Sequence, residues 1–135
     1  RNITPPGWRV PTDTDWATLE NCLITNGYNW DGSTSGNKIG KSLASTSGWQ
    51  SRVTAGNVGH NQSTNNSSGF SALPGGYRDF IYGRFYDLIG GAGFWSASEY
   101  DTDCAWYRRL SCNSSAVYRY NGYKRSGLSV RLVRE

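Results

Sequence analysis

The sequence predicts an α+β fold with two helices, short antiparallel strands and long loops. Three observations support this prediction: both helical patterns precede residue 45, residues 50–68 are polar and rich in Asn, Ser and Gly, and short strand patterns follow from Phe94 onward. Helices followed by a run of strands are typical of the α+β class. A length of 135 residues suits a single domain with its own core, so we expect one domain over residues 1–135.

The two predicted helices lie in the first third of the chain. Thr12 or Asp13 can cap the first helix, and Asn26-Gly27 ends it. The apolar residues of this helix recur at intervals of three and four, as Trp16, Leu19 and Leu23. A second, weaker helix is predicted around residues 38–44.

The last strand is predicted in the segment LSVRLVRE at the end of the chain. Its apolar residues alternate with Ser129 and Arg131, as they do in a half-buried strand, and they are Leu128, Val130 and Leu132.

A hairpin is predicted where the segment AWYRRLSC is followed by a turn and a second strand. Alternation places one set of side chains on the first face: Trp106, Arg108, Leu110 and Cys112. The opposite face receives Tyr107, Arg109, Ser111 and Asn113. After the turn the parity changes, so that Val117 and Arg119 lie opposite Ala116, Tyr118 and Tyr120. The hairpin therefore predicts an outward surface with two rows of Tyr, Arg, Ser and Asn.

Tyrosine is concentrated in this part of the chain, because seven of the nine tyrosines fall between Tyr82 and Tyr123. Tyr provides a large and rigid contact area, while Ser, Gly and Asn adapt their hydrogen bonds, as in antibody binding sites. Tyr is also a good strand former, and single exposed tyrosines are ordinary. The density of the whole cluster favours a binding surface.

Charge and composition argue against several other classes of protein. The net charge of +4 is scattered along the chain, which does not resemble the basic stripe of a nucleic-acid-binding protein. No apolar run reaches the length of a membrane span, so we expect no membrane insertion. Because the chain begins at Arg1 without a signal peptide, we expect it to be the C-terminal part of a longer protein.

The reactive residues predict neither an enzyme nor a cofactor site. His60 is the only histidine and lies in a polar loop without a neighbouring nucleophile, so we expect no catalytic residues. Cys104 and Cys112 could form a disulfide across a hairpin, which would leave Cys22 as a buried apolar residue.

Four ordered segments of the chain, GWRVPTDTDWATLE, GFSALPGGYR, GFWSASE and GLSVRLVRE, resemble the Fibrobacter succinogenes major paralogous domain. The resemblance covers nearly the whole chain and implies a C-type lectin-like fold over residues 1–135. The first segment is also similar to formylglycine-generating-enzyme-like proteins, but the cysteine pair of those enzymes has no evident match here.

The resemblance to lectins raises the question of a calcium site. Glu99, Asp101 and Asp103 offer oxygen ligands. The Glu-Pro-Asn and Trp-Asn-Asp motifs of calcium-dependent sugar-binding lectins are absent from the sequence. We therefore expect no metal site.

Residues 82–126 resemble the variable region of a protein diversified by a retroelement. In such proteins an error-prone copy of a template rich in AAY codons yields NNY codons, which exclude Lys, Glu, Gln, Met and Trp. The resemblance implies the following fixed positions: Gly83, Phe85, Gly90, Gly93, Trp95, Ser96, Glu99, Ala105, Trp106, Arg108, Leu110, Val117, Arg119 and Lys124. The positions that would vary are the ligand-binding residues named below, together with Ile89, Gly91, Ala92, Cys104, Ser114, Ala116, Gly122 and Ser126.

The resemblance implies a ligand-binding domain on a bacterial cell surface, in the extracellular space or on a virion, with a protein or a surface polymer as its ligand. The implied ligand-binding residues are Tyr82, Arg84, Tyr86, Asp87, Tyr100, Asp101, Asp103, Tyr107, Arg109, Ser111, Asn113, Tyr118, Tyr120, Asn121 and Tyr123. The alternatives are a structural module that packs against the rest of its parent chain, a formylglycine-generating-enzyme-like domain and a carbohydrate-binding domain.

Overall fold

The computed structural model describes residues 3–135 and confirms the α+β class. The described helices are α1 (Asp13–Thr25) and α2 (Gly40–Leu43), with a short 3-10 helix at Gln62–Thr64. The described strands are β1 (Trp8–Arg9), β2 (Tyr77–Arg78), β3 (Phe85–Tyr86), β4 (Gly91–Glu99), β5 (Cys104–Ser111), β6 (Tyr118–Tyr123) and β7 (Val133–Arg134).

The strands form three small antiparallel sheets. The largest has the order β4-β5-β6, and the other two are the pairs β1-β7 and β2-β3. The pairing of β1 with β7 joins the two ends of the described chain, with Trp8 opposite Arg134. Neither described helix is long and apolar enough to cross a bilayer.

Helix α1 begins where the sequence predicts it. The Thr12 hydroxyl accepts a hydrogen bond from the Asp15 amide at 3.1 Å, and the Asp15 carboxylate accepts one from the Thr12 amide at 2.7 Å. This reciprocal arrangement is a capping box. Arg9 forms an ion pair with Asp15, and this pair and the Thr12 donors hold the pKa of Asp15 well below its usual value. Helix α2 is confirmed within the predicted range of 38–44, as a single turn.

The core lies between the two helices and the inner face of the three-stranded sheet. Its aromatic centre consists of Trp16, Phe70 and Phe94, whose ring centroids lie 5.6 to 6.0 Å apart. The fully buried aliphatic residues include Ile39, Leu43, Val58 and Leu110. The inner face of the sheet is therefore committed to packing, and its outer face is left for contacts.

A buried charge network attaches the sheet to α1. The Arg108 side chain is 1% exposed, and its Nη1 lies 2.6 Å from the Asp13 carboxylate. Its Nε donates to Glu20. Burial raises the pKa of Glu20 in spite of the nearby guanidinium. Arg119 extends the network, since its Nη2 lies 2.9 Å from Asp13 and its guanidinium lies 3.3 Å from the centre of the Trp106 ring. Sequence reasoning did not find Glu20, because only tertiary packing brings it to Arg108.

The strand predicted in the segment LSVRLVRE is confirmed only for residues 133–134, and its expected alternation over residues 128–132 is wrong. The final strand is only Val133–Arg134, and Val130 is exposed. The preceding segment crosses from one partner to another: Gly127 bridges Arg78, and Ser129 bridges Phe94. A segment that changes partners so quickly cannot build a continuous ladder with one strand.

The suggested disulfide is also wrong, since all three cysteines are free. Cys104 opens β5 and Cys112 directly follows its last residue. Eight extended residues separate them by about 26 Å, at roughly 3.3 Å per residue, which is far beyond disulfide reach. Cys22 is exposed on α1 and is not the buried apolar residue expected.

Candidate ligand-binding surface

The outer face of the β5-β6 hairpin carries the predicted tyrosine rows. Tyr107 pairs with Tyr120 and Arg109 with Tyr118, so these four side chains share one face of the sheet. The Tyr107 and Tyr120 ring centroids lie 6.0 Å apart, and the Tyr118 and Tyr120 rings stack at 5.7 Å. Arg108, which lies between Tyr107 and Arg109 in the sequence, points to the opposite, buried face of the sheet. The predicted arrangement of the hairpin is confirmed at these positions.

A cavity of about 290 Å³ lies beside this face. The residues that line it include Tyr77, Trp95, Tyr107 and Tyr123. The Trp95 and Tyr107 rings meet edge to face with centroids 5.8 Å apart. This aromatic lining gives the cavity the apolar character of a site for a ring or an apolar side chain.

Glycines keep the floor of the cavity open. A Cβ at Gly122 would lie 3.2 Å from Cε1 of Tyr107, and a Cβ at Gly93 would lie 2.1 Å from Cδ2 of Leu128. At Gly91 a Cβ would lie 2.1 Å from the Asp87 carboxylate, so the missing side chain makes room for that acid. The space therefore depends on residues without side chains on the two strands that flank β5.

An ion pair forms the polar part of the cavity wall. Nη2 of Arg109 lies 2.7 Å from Oδ2 of Asp87, and both side chains are partly exposed. Partial burial lowers the pKa of Arg109, but the hydrogen bond and charge of Asp87 outweigh this effect and the pKa is raised. Burial raises the pKa of Tyr107. At neutral pH the wall therefore offers a permanent cation and a neutral hydroxyl.

The β2-β3 hairpin brings further predicted residues to the same side. Tyr86 of β3 stacks on Tyr77 of β2 with ring centroids 5.6 Å apart, and Tyr77 lines the cavity. Tyr82 is 74% exposed in the loop that joins the two strands, and the Arg84 guanidinium lies 5.9 Å from its ring centre. These residues extend the contact area outward from the cavity.

Of the predicted residues, four line the cavity itself: Asp87, Tyr107, Arg109 and Tyr123. Four others lie away from both the cavity and the tyrosine rows. The Tyr100 ring packs edge to face on Trp106 at 4.8 Å, and Asn121 pairs with Trp106, on the other face of the sheet. The Asp101 carboxylate accepts hydrogen bonds from the amides of Asp103 and Cys104 at 2.9 and 2.7 Å, and these bonds lower its pKa. Asp101 and Asp103 thus build the turn before β5.

The remaining predicted residues lie at the end of β5. The Ser111 hydroxyl donates to Asn113 Oδ1 at 2.7 Å. Ser111 pairs with Gly91, which contributes to the cavity floor.

The acidic residues considered for calcium have other partners. Glu99 lies 2.7 Å from the Lys124 ammonium. Within residues 3–135 the structure brings together no group of three or more His, Cys, Asp or Glu side chains able to hold a metal ion.

Sequence reasoning missed Tyr77 and the role of Trp95 in the cavity. Tyr77 precedes the region 82–126 and therefore did not enter the set of binding residues. The segment YRDFIYGRFY, aromatic at both ends with Gly83 near its middle, carries a hairpin signal that would have paired Tyr77 with Tyr86. Trp95 was expected only as a fixed position of the region 82–126, yet it lines the cavity and its ring meets that of Tyr107.

A family model described as the Fibrobacter succinogenes major domain matches residues 1–134. Comparison with curated proteins and with solved structures gives no match.

Proposed function

The chain belongs to the family of the Fibrobacter succinogenes major domain, and on this premise we propose that it is a ligand-binding domain. The observation that carries the proposal is the cavity of about 290 Å³ walled by aromatic rings, next to an outward sheet face that bears Tyr118 and Tyr120. A concave, mostly apolar site with a few polar groups is the usual form of a binding site.

The chemistry of the surface favours a protein or a surface polymer as the ligand. Tyr118, Tyr120 and Tyr123 are exposed around a cavity that offers aromatic walls and the Arg109 guanidinium. Such a surface binds through ring contacts and hydrogen bonds, and tyrosine and arginine are frequent hot spots of interfaces. One ring or apolar side chain of the ligand would enter the cavity while its flanking groups contact the sheet face.

We further propose a C-type lectin-like domain whose surface is diversified by a retroelement. Several positions expected to be fixed are buried, among them Arg108, Leu110 and Val117. Most tyrosines expected to vary are exposed, which supports the proposal because surface changes have small effects on stability. Ala92, which is also expected to vary, is an exception because it is buried in the core, with 2% of its surface exposed.

A binding role is also supported over a catalytic one. Neither His60 nor any of the three cysteines lines the cavity. The domain would act on a cell surface, in the extracellular space or on a virion, where a recognition surface meets its ligand.

The experiment compares two tyrosine variants with matched exposure. Phage displaying random peptides, and an array of bacterial surface polysaccharides, are tested for binding to the domain. The Tyr118→Ala/Tyr120→Ala variant should lose at least about tenfold in affinity for the selected ligands, as expected for hot-spot residues. Tyr28→Ala is the control, because Tyr28 and Tyr118 are each 37% exposed and Tyr28 lies on another part of the surface.

Equal affinity of the wild type and the double variant for every selected ligand would contradict the proposal. An equal loss in the Tyr28→Ala control would do the same, because it would show nonspecific adhesion.

A further inference from the structure

A second feature of the surface is an apolar patch around the β2-β3 hairpin. We define the hairpin patch as the exposed large apolar residues Leu73, Ile81, Tyr82, Phe85, Leu88 and Ile89. Ile81 and Phe85 are each 66% exposed. A soluble domain seldom exposes many large apolar side chains side by side, and contiguous patches of this kind mark contact sites.

The fold gathers these residues, which are up to 16 positions apart in sequence. Strand pairing places Phe85 opposite Arg78. The Ile89 amide donates to the Pro74 carbonyl at 3.2 Å, which brings Leu73 next to Ile89. The β2-β3 hairpin and the segments that flank it therefore carry all six residues.

A single carboxylate holds the hairpin loop in place. Oδ1 of Asp79 accepts hydrogen bonds from the backbone amides of Ile81 at 2.6 Å and Tyr82 at 2.9 Å. Oδ2 accepts one from the backbone amide of Arg84 at 3.2 Å. Gly83 provides the left-handed turn with a φ of 67°. A loop fixed in this way loses little conformational entropy when it binds, so its exposed apolar residues are prepared for contact.

The rim of the patch is cationic. Arg78, Arg84 and Arg125 are exposed, and none of them forms an ion pair with a carboxylate in the described part of the chain. Arg125 lies 4.8 Å from the centre of the Phe80 ring in the same loop. Three unpaired guanidinium groups favour an acidic partner, and they disfavour a second copy of the same patch because like charges would meet.

A groove beside the hairpin indicates the shape of the partner. It has a volume of about 300 Å³, and its lining includes Arg78, Phe85 and residues 127–129. An extended peptide can lie along a groove of this kind and place apolar side chains in it, whereas a membrane surface is flat.

We propose that the hairpin patch docks a segment of a partner protein in which apolar side chains alternate with carboxylates. The apolar side chains would contact Phe85, Ile81 and Leu88, and the carboxylates would pair with the arginine rim. Phe85 is expected to stay fixed and Ile81 precedes the region expected to vary, so these apolar contacts would persist while the tyrosine face changes; Tyr82, Arg84 and Ile89 would vary, and this step rests on the proposed function.

The test selects peptides that need the hairpin patch. A phage library of random peptides is selected on the wild-type domain, after removal of phage that bind the Phe85→Ser/Leu88→Ser variant. The selected peptides should be enriched in Asp and Glu next to Leu, Phe or Trp. Their affinity for the Phe85→Ser/Leu88→Ser variant should be at least about tenfold lower than for the wild type. Their affinity for the wild type should also fall at least about tenfold when NaCl is raised from roughly 50 to roughly 200 mM, because salt screens charged contacts.

Controls separate this proposal from the function proposed above. The Tyr118→Ala/Tyr120→Ala variant should bind the hairpin-selected peptides as the wild type does, even if it has lost every ligand of the tyrosine face. Circular dichroism must show that both double variants are folded, and Ile81→Ser is the substitute if Phe85→Ser/Leu88→Ser is not.

Three outcomes would overturn the proposal. The first is that the selected peptides are not enriched in acidic residues, or that none of them binds the domain at about 1 mM, roughly the weakest affinity such a site would have. The second is patch-dependent sedimentation with phosphatidylglycerol vesicles in place of peptide binding, which would assign the patch to a membrane surface. The third is a dimer in analytical ultracentrifugation that the Phe85→Ser/Leu88→Ser variant abolishes, which would assign it to a second copy of this chain.

Discussion

Ile89 has a backbone conformation that β-branched residues rarely adopt. Its φ is 62°, and Asp87, two residues earlier, has a φ of 58°. The left-handed region costs an ordinary residue about 1–2 kcal/mol, while Asn enters it easily. Both positions belong to the set expected to vary, and the AAY codons of the proposed template encode asparagine. The backbone at 87 and 89 therefore suits asparagine better than the isoleucine that position 89 carries.

This strain leads to a prediction for Ile89→Asn. The substitution should raise the free energy of unfolding by about 1 kcal/mol, because the cost of the left-handed backbone falls while the exposed side chain loses little packing. Urea unfolding measures the change. Leu88→Asn is the control, since Leu88 is similarly exposed and has no positive φ. A stability gain in Leu88→Asn, or a loss in Ile89→Asn, would show that the backbone is not the cause.

Strand β5 separates two kinds of interaction at adjacent residues. Arg108 faces the core side and is enclosed with the carboxylates of Asp13 and Glu20. Arg109 faces outward and shares a partly exposed ion pair with Asp87. Removing one partner from a buried ion network leaves an uncompensated charge, whereas exposed pairs contribute little. The same residue type thus has a structural role on one face and is available for contact on the other.

The two arginines make a matched pair of variants. Arg108→Met should lower the free energy of unfolding by about 3–5 kcal/mol, because Glu20 loses its buried partner while Asp13 keeps only Arg119. Arg109→Met should lower it by less than about 1 kcal/mol. Urea unfolding at pH 7 measures both. Equal losses would mean that the two faces of β5 are not energetically distinct.

Local signals account for the elements that the sequence predicted well. The capping box of Thr12 and Asp15 and the alternation along β5 are encoded within a few residues, so the start of α1 and the face of Tyr107 could be predicted. The segment before β7 could not, because its partners Phe94 and Arg78 are distant in sequence. The cavity depends on glycines of β4 and β6, the two strands that flank β5, and on Tyr77, and only the assembled fold brings these together.

At the scale of the whole molecule, the charge network and the core lie on one side of the main sheet, and the tyrosine face lies on the other. Positions expected to vary mostly follow this division, although Tyr100 and Asn121 lie with Trp106 and Ala92 lies in the core. A surface that contributes little to the core can change its side chains without unfolding the domain. The division therefore makes a scaffold and a replaceable surface of one small chain.

This independence can be tested by changing many surface residues at once. A variant with four substitutions, called the fourfold variant, replaces exposed tyrosines of both hairpins with asparagine: Tyr82, Tyr86, Tyr118 and Tyr120. Because each surface change contributes within about 0.5 kcal/mol, the variant should lose less than about 2 kcal/mol in the free energy of unfolding. The single change Leu110→Ala should cost more, about 2–5 kcal/mol, since Leu110 is fully buried. Ala92→Phe should also destabilise the fold, by at least about 1–3 kcal/mol, because the core has no room for the ring. Thermal and urea unfolding followed by circular dichroism compare the three variants. If the fourfold variant proved less stable than Leu110→Ala, the tyrosines would be part of what holds the fold together, and the surface would not be free to change.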